Sequence, residues 1–245
     1  MDILVVGNTA KLYCLNWIED YIKKMQKPVS ILDLGCGEAL SFIKLLERYP
    51  DIYYMGIEPD KKISLKAQKN LAQFNAKVQC AYAYDIGKRI GEKFEIVVSF
   101  SVLEHVYRRQ DYMRSAKECL KDEGYFLINY DAGHFTSPEE RNKIKDLARI
   151  LFARMGIEKY YQSFVKEEEF QALLQDNDFK VVDAKFFNSY SLKGFYREIA
   201  VADRPHYMEQ WLESELSLNS LPVTSSDKLS HYFATRNYIL RGVGA

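Results

Sequence analysis

Hydrophobic residues between positions 31 and 49 change from a contiguous run to a helical spacing across two glycines. Ile31, Leu32 and Leu34 suit a short strand buried on both faces, whereas Phe42, Ile43, Leu45, Leu46 and Tyr49 recur at helical intervals. The stretch therefore predicts a strand, a tight turn at Gly35-Cys36-Gly37, and a helix ending before Pro50. Upstream, Leu12, Leu15, Ile18, Ile22 and Met25 predict an amphipathic helix capped by Asn8 or Thr9 and ending before Pro28. Downstream, Tyr53–Ile57 reads as a second strand, and Asp60 caps a helix with Ile63, Ala67, Leu71 and Phe74 on one face. Lys77–Tyr84, Phe94–Phe100 and Gly124–Tyr130 read as further strands, with a helix containing Leu103-Glu104-His105-Val106 before the last of them.

Strand and helix alternate through this region, which predicts a mostly parallel sheet with helices on both faces and right-handed crossovers. After residue 131 the rhythm changes. Ser137-Pro138-Glu139-Glu140 offers a capping box for a helix running towards Gly156, and a charged helix from Lys166 to Gln175 stops at Asn177, a residue suited to a left-handed cap. Phe179–Phe187 resumes strand character, one helix lies around Met208–Leu218, and Phe233–Leu240 is a last strand. The expected organisation is one α/β domain over 1–245: a helical cover at 1–28, a core at 29–131, and insertions at 132–165 and 190–232.

Composition narrows the classes. A chain of 245 residues with 47% hydrophobic content can bury a large core. Lys+Arg and Asp+Glu are both 34, so no overall field favours a polyanion and generic nucleic-acid binding is not expected. Cys14, Cys36, Cys80 and Cys119 form no Cys-x-x-Cys pair and have no histidine at a metal-ligand spacing, which fits reduced thiols in a cytoplasmic protein. Asp2 stands where a signal peptide would be basic, and no run approaches the roughly 20 apolar residues of a membrane span.

Gly35 and Gly37 permit dihedrals closed to other residues and let a ligand lie against the backbone, at the end of a parallel strand where open α/β sheets bind nucleotides. Asp33 precedes the first glycine by two residues and Glu58 ends the second strand. Carboxylates at those places can hold an amino group and a pair of ribose hydroxyls. A dinucleotide fingerprint also pairs glycines with an acid roughly 20 positions on. Glu58 lies 23 positions after Gly35, so spacing does not separate the two cofactors. Leu40 occupies the place of that fingerprint's third glycine, and Asp33 would repel a pyrophosphate, so a nicotinamide dinucleotide oxidoreductase is the weaker reading.

The motifs Asp33-Leu34-Gly35-Cys36-Gly37, Glu58-Pro59-Asp60, Asp85-Ile86, Ser99-Phe100-Ser101-Val102-Leu103-Glu104-His105-Val106 and Lys121-Asp122-Glu123-Gly124 resemble, in order, those of Rossmann-like S-adenosylmethionine-dependent methyltransferases. The resemblance covers residues 29 to 131 well and the later strands more loosely. It implies a methyltransferase with an antiparallel last strand and helical lid insertions, using S-adenosyl-L-methionine. It further implies that Gly35, Cys36 and Gly37 approach the methionine moiety, that Asp33 orients the loop or the amino group, and that Glu58, followed by Pro59, takes the ribose hydroxyls. By the same resemblance Asp85 accepts from the adenine amino group, Ile86 packs near the ring, and Ser99, Phe100 and Ser101 lie under the sulfonium.

Relatives that use a metal carry Glu-x-x-Glu-His. Here Ser101 replaces the first glutamate, so no metal is expected. Transfer of a sulfonium methyl requires placement above all, and a base only where the acceptor holds its proton tightly. His105 and then His134 are the candidates. Phe135, Phe152, Tyr160, Tyr161, Phe164, Tyr190, Phe195, Tyr196, Tyr207 and Trp211 in the insertions suit either a lid over an apolar small-molecule acceptor or the floor of lid helices. Transfer to an O or N atom of such a molecule is the expected reaction. A methyltransferase acting on protein or RNA, or a non-catalytic module that binds the cofactor, is the alternative.

Overall fold

A computed structural model describes residues 7–131, 143–222, 229 and 231–242. Asn8 caps the first helix, α1 (Thr9–Met25), by accepting from the Lys11 amide at 3.1 Å. Then follow β1 (Ser30–Leu34), α2 (Ile43–Arg48), β2 (Tyr53–Ile57), α3 (Lys61–Asn70), β3 (Ala76–Gln79), α4 (Ile86–Ile90), β4 (Phe94–Phe100), α5 (Arg109–Glu118) and β5 (Leu120–Asp131). The second half holds α6 (Lys143–Arg154), α7 (Glu167–Asp176), β6 (Phe179–Ser189), α8 (Tyr190–Glu198), α9 (Arg204–Asn219) and β7 (Phe233–Gly242). The strands form one sheet in the order β3-β2-β1-β4-β5-β7-β6, parallel from β3 to β5, with β7 antiparallel to both neighbours.

Alternation along the strands divides the core between the two faces of the sheet. Ile31, Ile96, Val98, Leu127 and Ile239 face α1 and α9, while Leu32, Leu34, Val97, Phe126, Ile128 and Leu240 face α5 and α7. These strand residues are all wholly buried. Each contributes roughly 1.5–3 kcal/mol of hydrophobic stabilisation.

Several boundaries differ from the sequence expectation. The third strand stops at Gln79, because β2, its only partner among the described residues, ends at Ile57 opposite it, and Ala83–Asp85 make a 3-10 turn before α4. Leu103–His105 is a 3-10 turn, and the helix proper begins at Arg109. After α7 the left-handed residue is Asp178 at φ 52°, not Asn177. A helix not anticipated, α8, follows β6 directly. The capping box at Ser137–Glu140 lies outside the described residues.

Two polar clusters fix what covers the carboxyl ends of the strands. The buried Arg109 guanidinium holds both oxygens of Glu169, at 2.7 and 2.8 Å, and donates to the carbonyls of Ser163 and Phe164, tying the segment before α7 onto α5. On the other face the wholly buried Glu215 of α9 accepts from the Ser189 amide at 2.6 Å, the Trp211 indole at 2.7 Å, the Asn188 amide at 3.2 Å and the Thr9 hydroxyl. Asn188, at φ 60°, accepts from the Thr9 amide at 3.0 Å and donates to Asn8 at 3.1 Å. The start of α1, the corner between β6 and α8, and α9 therefore share one acceptor. Glu215→Ala strands several buried donors and should lower unfolding free energy by about 3 kcal/mol in urea titration; a loss under about 1 kcal/mol would contradict this account.

Candidate functional site

The carboxyl ends of β1, β2 and β4 and the segment after β3 surround a cavity of about 770 Å³. At its base the chain leaves β1 through Gly35, at φ 86°, whose amide donates to the Ile57 carbonyl at 2.8 Å; the Cys36 amide reaches the same carbonyl at 3.0 Å. A Cβ on Gly35 would stand 2.6 Å from Val102 Cγ2, so only glycine lets the turn pack beneath the loop after β4. Gly37, at φ 56°, has open space where its Cβ would be. Cys36 turns its sulfur onto the sheet, where a Cβ on Gly56 would meet it at 2.7 Å, and burial pushes its thiol well above the usual range.

Glu58 bridges this turn to the next helix. One carboxylate oxygen accepts from the Gly37 amide at 3.1 Å and the other from the Asp60 amide at 2.9 Å, and the residue lines the cavity with Pro59 beside it. Asp60 in turn caps α3 by accepting from the Lys62 and Ile63 amides. Asp33 lies deeper. It is buried behind the turn and accepts from the Tyr54 hydroxyl at 2.8 Å. Burial pushes its carboxyl up to about 7, against the opposing pull of the Tyr54 bond and the Lys11 charge.

The loop after β4 supplies the facing wall. Ser101, at φ 59°, lines the cavity, and its amide is shared between the backbone and side-chain oxygens of Asn129 at 2.9 and 3.1 Å. Ser99 is wholly buried. Its hydroxyl lies 2.8 Å from that of Tyr112, which is 3.1 Å from the Leu34 carbonyl, so it joins β4 to β1 below the cavity. Phe100 is also buried and stacks parallel on Phe42. His105 is exposed on the cavity wall with its Nδ1 3.3 Å from the Tyr161 carbonyl oxygen. Glu104 points inward; it is 3% exposed, and its Oε2 makes no hydrogen bond. Burial pushes this carboxyl up to about 7, with the Asp131 charge adding to the effect.

Some expected site residues stand elsewhere. Asp85 lines a neighbouring cavity of about 520 Å³ and pairs with Arg89 at 2.9 Å. Ile86 is wholly buried in the core, its amide donating to Ser115 Oγ at 3.0 Å. Ala81, Tyr82, Ala83 and Tyr84 occupy the cavity wall instead. A third strand reaching Tyr84 would place Asp85 at a strand end; the actual strand stops five residues earlier, at Gln79. His134 and Phe135 lie outside the described residues. Of the tyrosines of α1, Tyr13 donates to Asp183 at 2.7 Å and Tyr21 stacks on Trp17, so neither covers the cavity.

Glu158 and Lys159 are among the cavity residues that the sequence did not single out. Glu158, bonded to the Tyr84 hydroxyl, and Lys159, 3.4 Å from Asp60, bring the turn after α6 across the mouth. Their signal was weak, one acid and one base in a charged stretch. Among the described residues no group of three His, Cys, Asp or Glu side chains stands where it could hold a metal ion.

The family model described as "Methyltransferase domain" matches residues 8–184. A search of curated proteins found no match. Among solved structures, the plantazolicin methyltransferase BamL, in complex with a triazolic desmethylPZN analog and SAH, is similar at TM-score 0.57 and 15% identity, over 95% of this chain and 84% of that one. An S-adenosylmethionine-dependent methyltransferase from Clostridium acetobutylicum is similar at TM-score 0.58 and 10% identity, covering 94% and 90%. The [4+2]-cyclase SpnF is similar at 0.56 and 15%, covering 94% and 82%. At such identities the structural likeness speaks for the fold alone. On the family match and this sheet together, the chain belongs to the methyltransferase-domain family, the Rossmann-like S-adenosylmethionine-dependent class.

Proposed function

We propose that this methyltransferase transfers its methyl group to an O or N atom of a small molecule by in-line displacement. The observation that carries the reading is Glu58, a carboxylate held by backbone amides on either side of a cavity whose floor is a glycine turn. A carboxylate so placed presents its remaining lone pairs to the two hydroxyls of a ribose. The open space beside Gly37 and the size of the cavity fit a nucleoside with an amino-acid arm. Asp33, buried behind the turn and bonded to Tyr54, orients the turn from beneath, and Ser101 and Val102 line the cavity wall.

S-adenosylmethionine, when bound, supplies a methyl already activated by the sulfonium, so the work left to the chain is placement. Residues 29–131 hold the cofactor in this reading, and 132–165 and 190–232 meet the acceptor. Asp33 and Glu104, where ionised, favour a cationic ligand, and the Lys11 charge offsets part of that effect. His105 is the wall residue suited to take a proton from an acceptor hydroxyl or amine; His134 is the next. Trp211 and Tyr196 pack into the core with α1, whereas Phe152, Tyr160, Phe164 and Phe195 are exposed, so the aromatic insertions divide between floor and surface. Four unpaired thiols support a cytoplasmic location.

Incubation of the protein with methyl-labelled cofactor and cell extract should move label into the small-molecule fraction. Label on macromolecules would point to a protein or RNA acceptor, and tight binding without transfer to a binding module. Glu58→Ala should weaken cofactor binding by about 1.5–3 kcal/mol in calorimetry with the circular dichroism unchanged. Unchanged affinity would remove Glu58 from the site.

A further inference from the structure

Helix α6 turns its apolar side away from the protein. Ala153 is buried, whereas Leu147, Leu151 and Met155, four residues apart on one stripe, are 59%, 49% and 66% exposed. Phe152 beside the stripe, and Ile157 and Tyr160 past the helix end, extend the exposed surface. A helix whose role was to cover a core would bury that stripe. The helix end is nevertheless firmly built. Gly156, at φ 85°, turns the chain, the Ile157 amide donates to the Phe152 carbonyl at 2.9 Å, and Arg154 Nε donates to the Tyr107 hydroxyl at 3.2 Å.

Charge is concentrated on the same segment. Residues 143–159 include Lys143, Lys145, Arg149, Arg154 and Lys159 against Asp146 and Glu158, in a chain whose formal net charge is zero. Glu158 is buried and bonded to Tyr84, so its charge is turned inward; Lys159 is exposed and reaches Asp60. An exposed apolar stripe on a segment rich in lysine and arginine is the pattern of a helix that lies in a bilayer interface, its apolar residues among the acyl chains and its cations at anionic headgroups.

We propose that α6 and the turn after it dock this protein on an anionic lipid surface. Docking is peripheral, since among the described residues no helix is long and apolar enough to cross a membrane. A second copy of the chain is the poorer occupant, because a two-fold contact through this face would set its cations against each other. The turn that leaves α6 also supplies Glu158 and Lys159 to the mouth of the cavity, so a docked molecule holds its cavity beside the bilayer. An acceptor that partitions into lipid is the small molecule such an arrangement reaches. This last step rests on the proposed small-molecule acceptor; docking itself does not.

The test is cosedimentation with vesicles of phosphatidylcholine alone and of phosphatidylcholine mixed with phosphatidylglycerol. The protein should pellet with the anionic vesicles and be released by salt. The double variant Leu147→Ser/Leu151→Ser should partition at least about tenfold more weakly, because two apolar side chains no longer leave water. Its cofactor affinity by calorimetry should match the parent, which separates a failure of docking from a failure of the methyltransferase reading. Protein that stays in the supernatant, a variant that binds as well as the parent, or equal partition onto neutral vesicles would overturn the proposal. So would a dimer, seen by sedimentation, that the two substitutions dissolve.

Discussion

The bridge made by Glu58 is the interaction on which the cofactor end of the molecule depends. Its two oxygens accept from Gly37 and Asp60, one amide in the turn after β1 and one at the head of α3. Losing the carboxylate would leave both amides without their acceptor and loosen Gly37 from the head of α3. The same turn is pinned from below by the Ile57 carbonyl, which accepts from Gly35 and Cys36, and from above by Val102. Three adjacent strands thus agree on the position of the three residues Gly35, Cys36 and Gly37. The parallel sheet makes this possible by bringing the carboxyl ends of β1, β2 and β4 to one edge.

Buried carboxyls raise a second theme. Asp33 and Glu104 are both held up to about 7 by burial, against the opposing charge of Lys11 on the first and of Arg109 on the second. Burying carboxyls costs stability, a pattern that clusters at functional sites and suits a site whose ligand brings its own positive charge. Glu215 is a contrast. It is buried more completely, yet four donors satisfy it, and its role is to lock α1, α8 and α9 around the sheet.

The sheet was readable because its strands are short apolar runs punctuated by glycine and proline, as at Ile31–Leu34 and Phe94–Phe100. Asn8 and Asp60 were legible as caps because a side-chain acceptor at a helix start has few other uses. The end of the third strand was not legible, since the end of an edge strand is set by where its neighbour stops, and nothing in β3 itself records where β2 ends. Glu158 and Lys159 reach the cavity only through the tertiary anchoring of their segment by Arg109, which no local pattern records. The outward face of α6 was equally hidden: periodicity shows that a helix has an apolar side, not which way it is turned.

Calorimetric binding of S-adenosylmethionine near pH 7, in two buffers of different ionisation enthalpy, tests the central claim most directly. Asp33 and Glu104 are partly protonated at that pH, and a cation placed beside them favours the carboxylates and lowers their pKa. Binding near pH 7 should therefore release protons, with an apparent enthalpy that follows the buffer. NAD should give no heat under the same conditions. Binding of NAD in place of the sulfonium compound, or cofactor binding without proton release, would contradict the account.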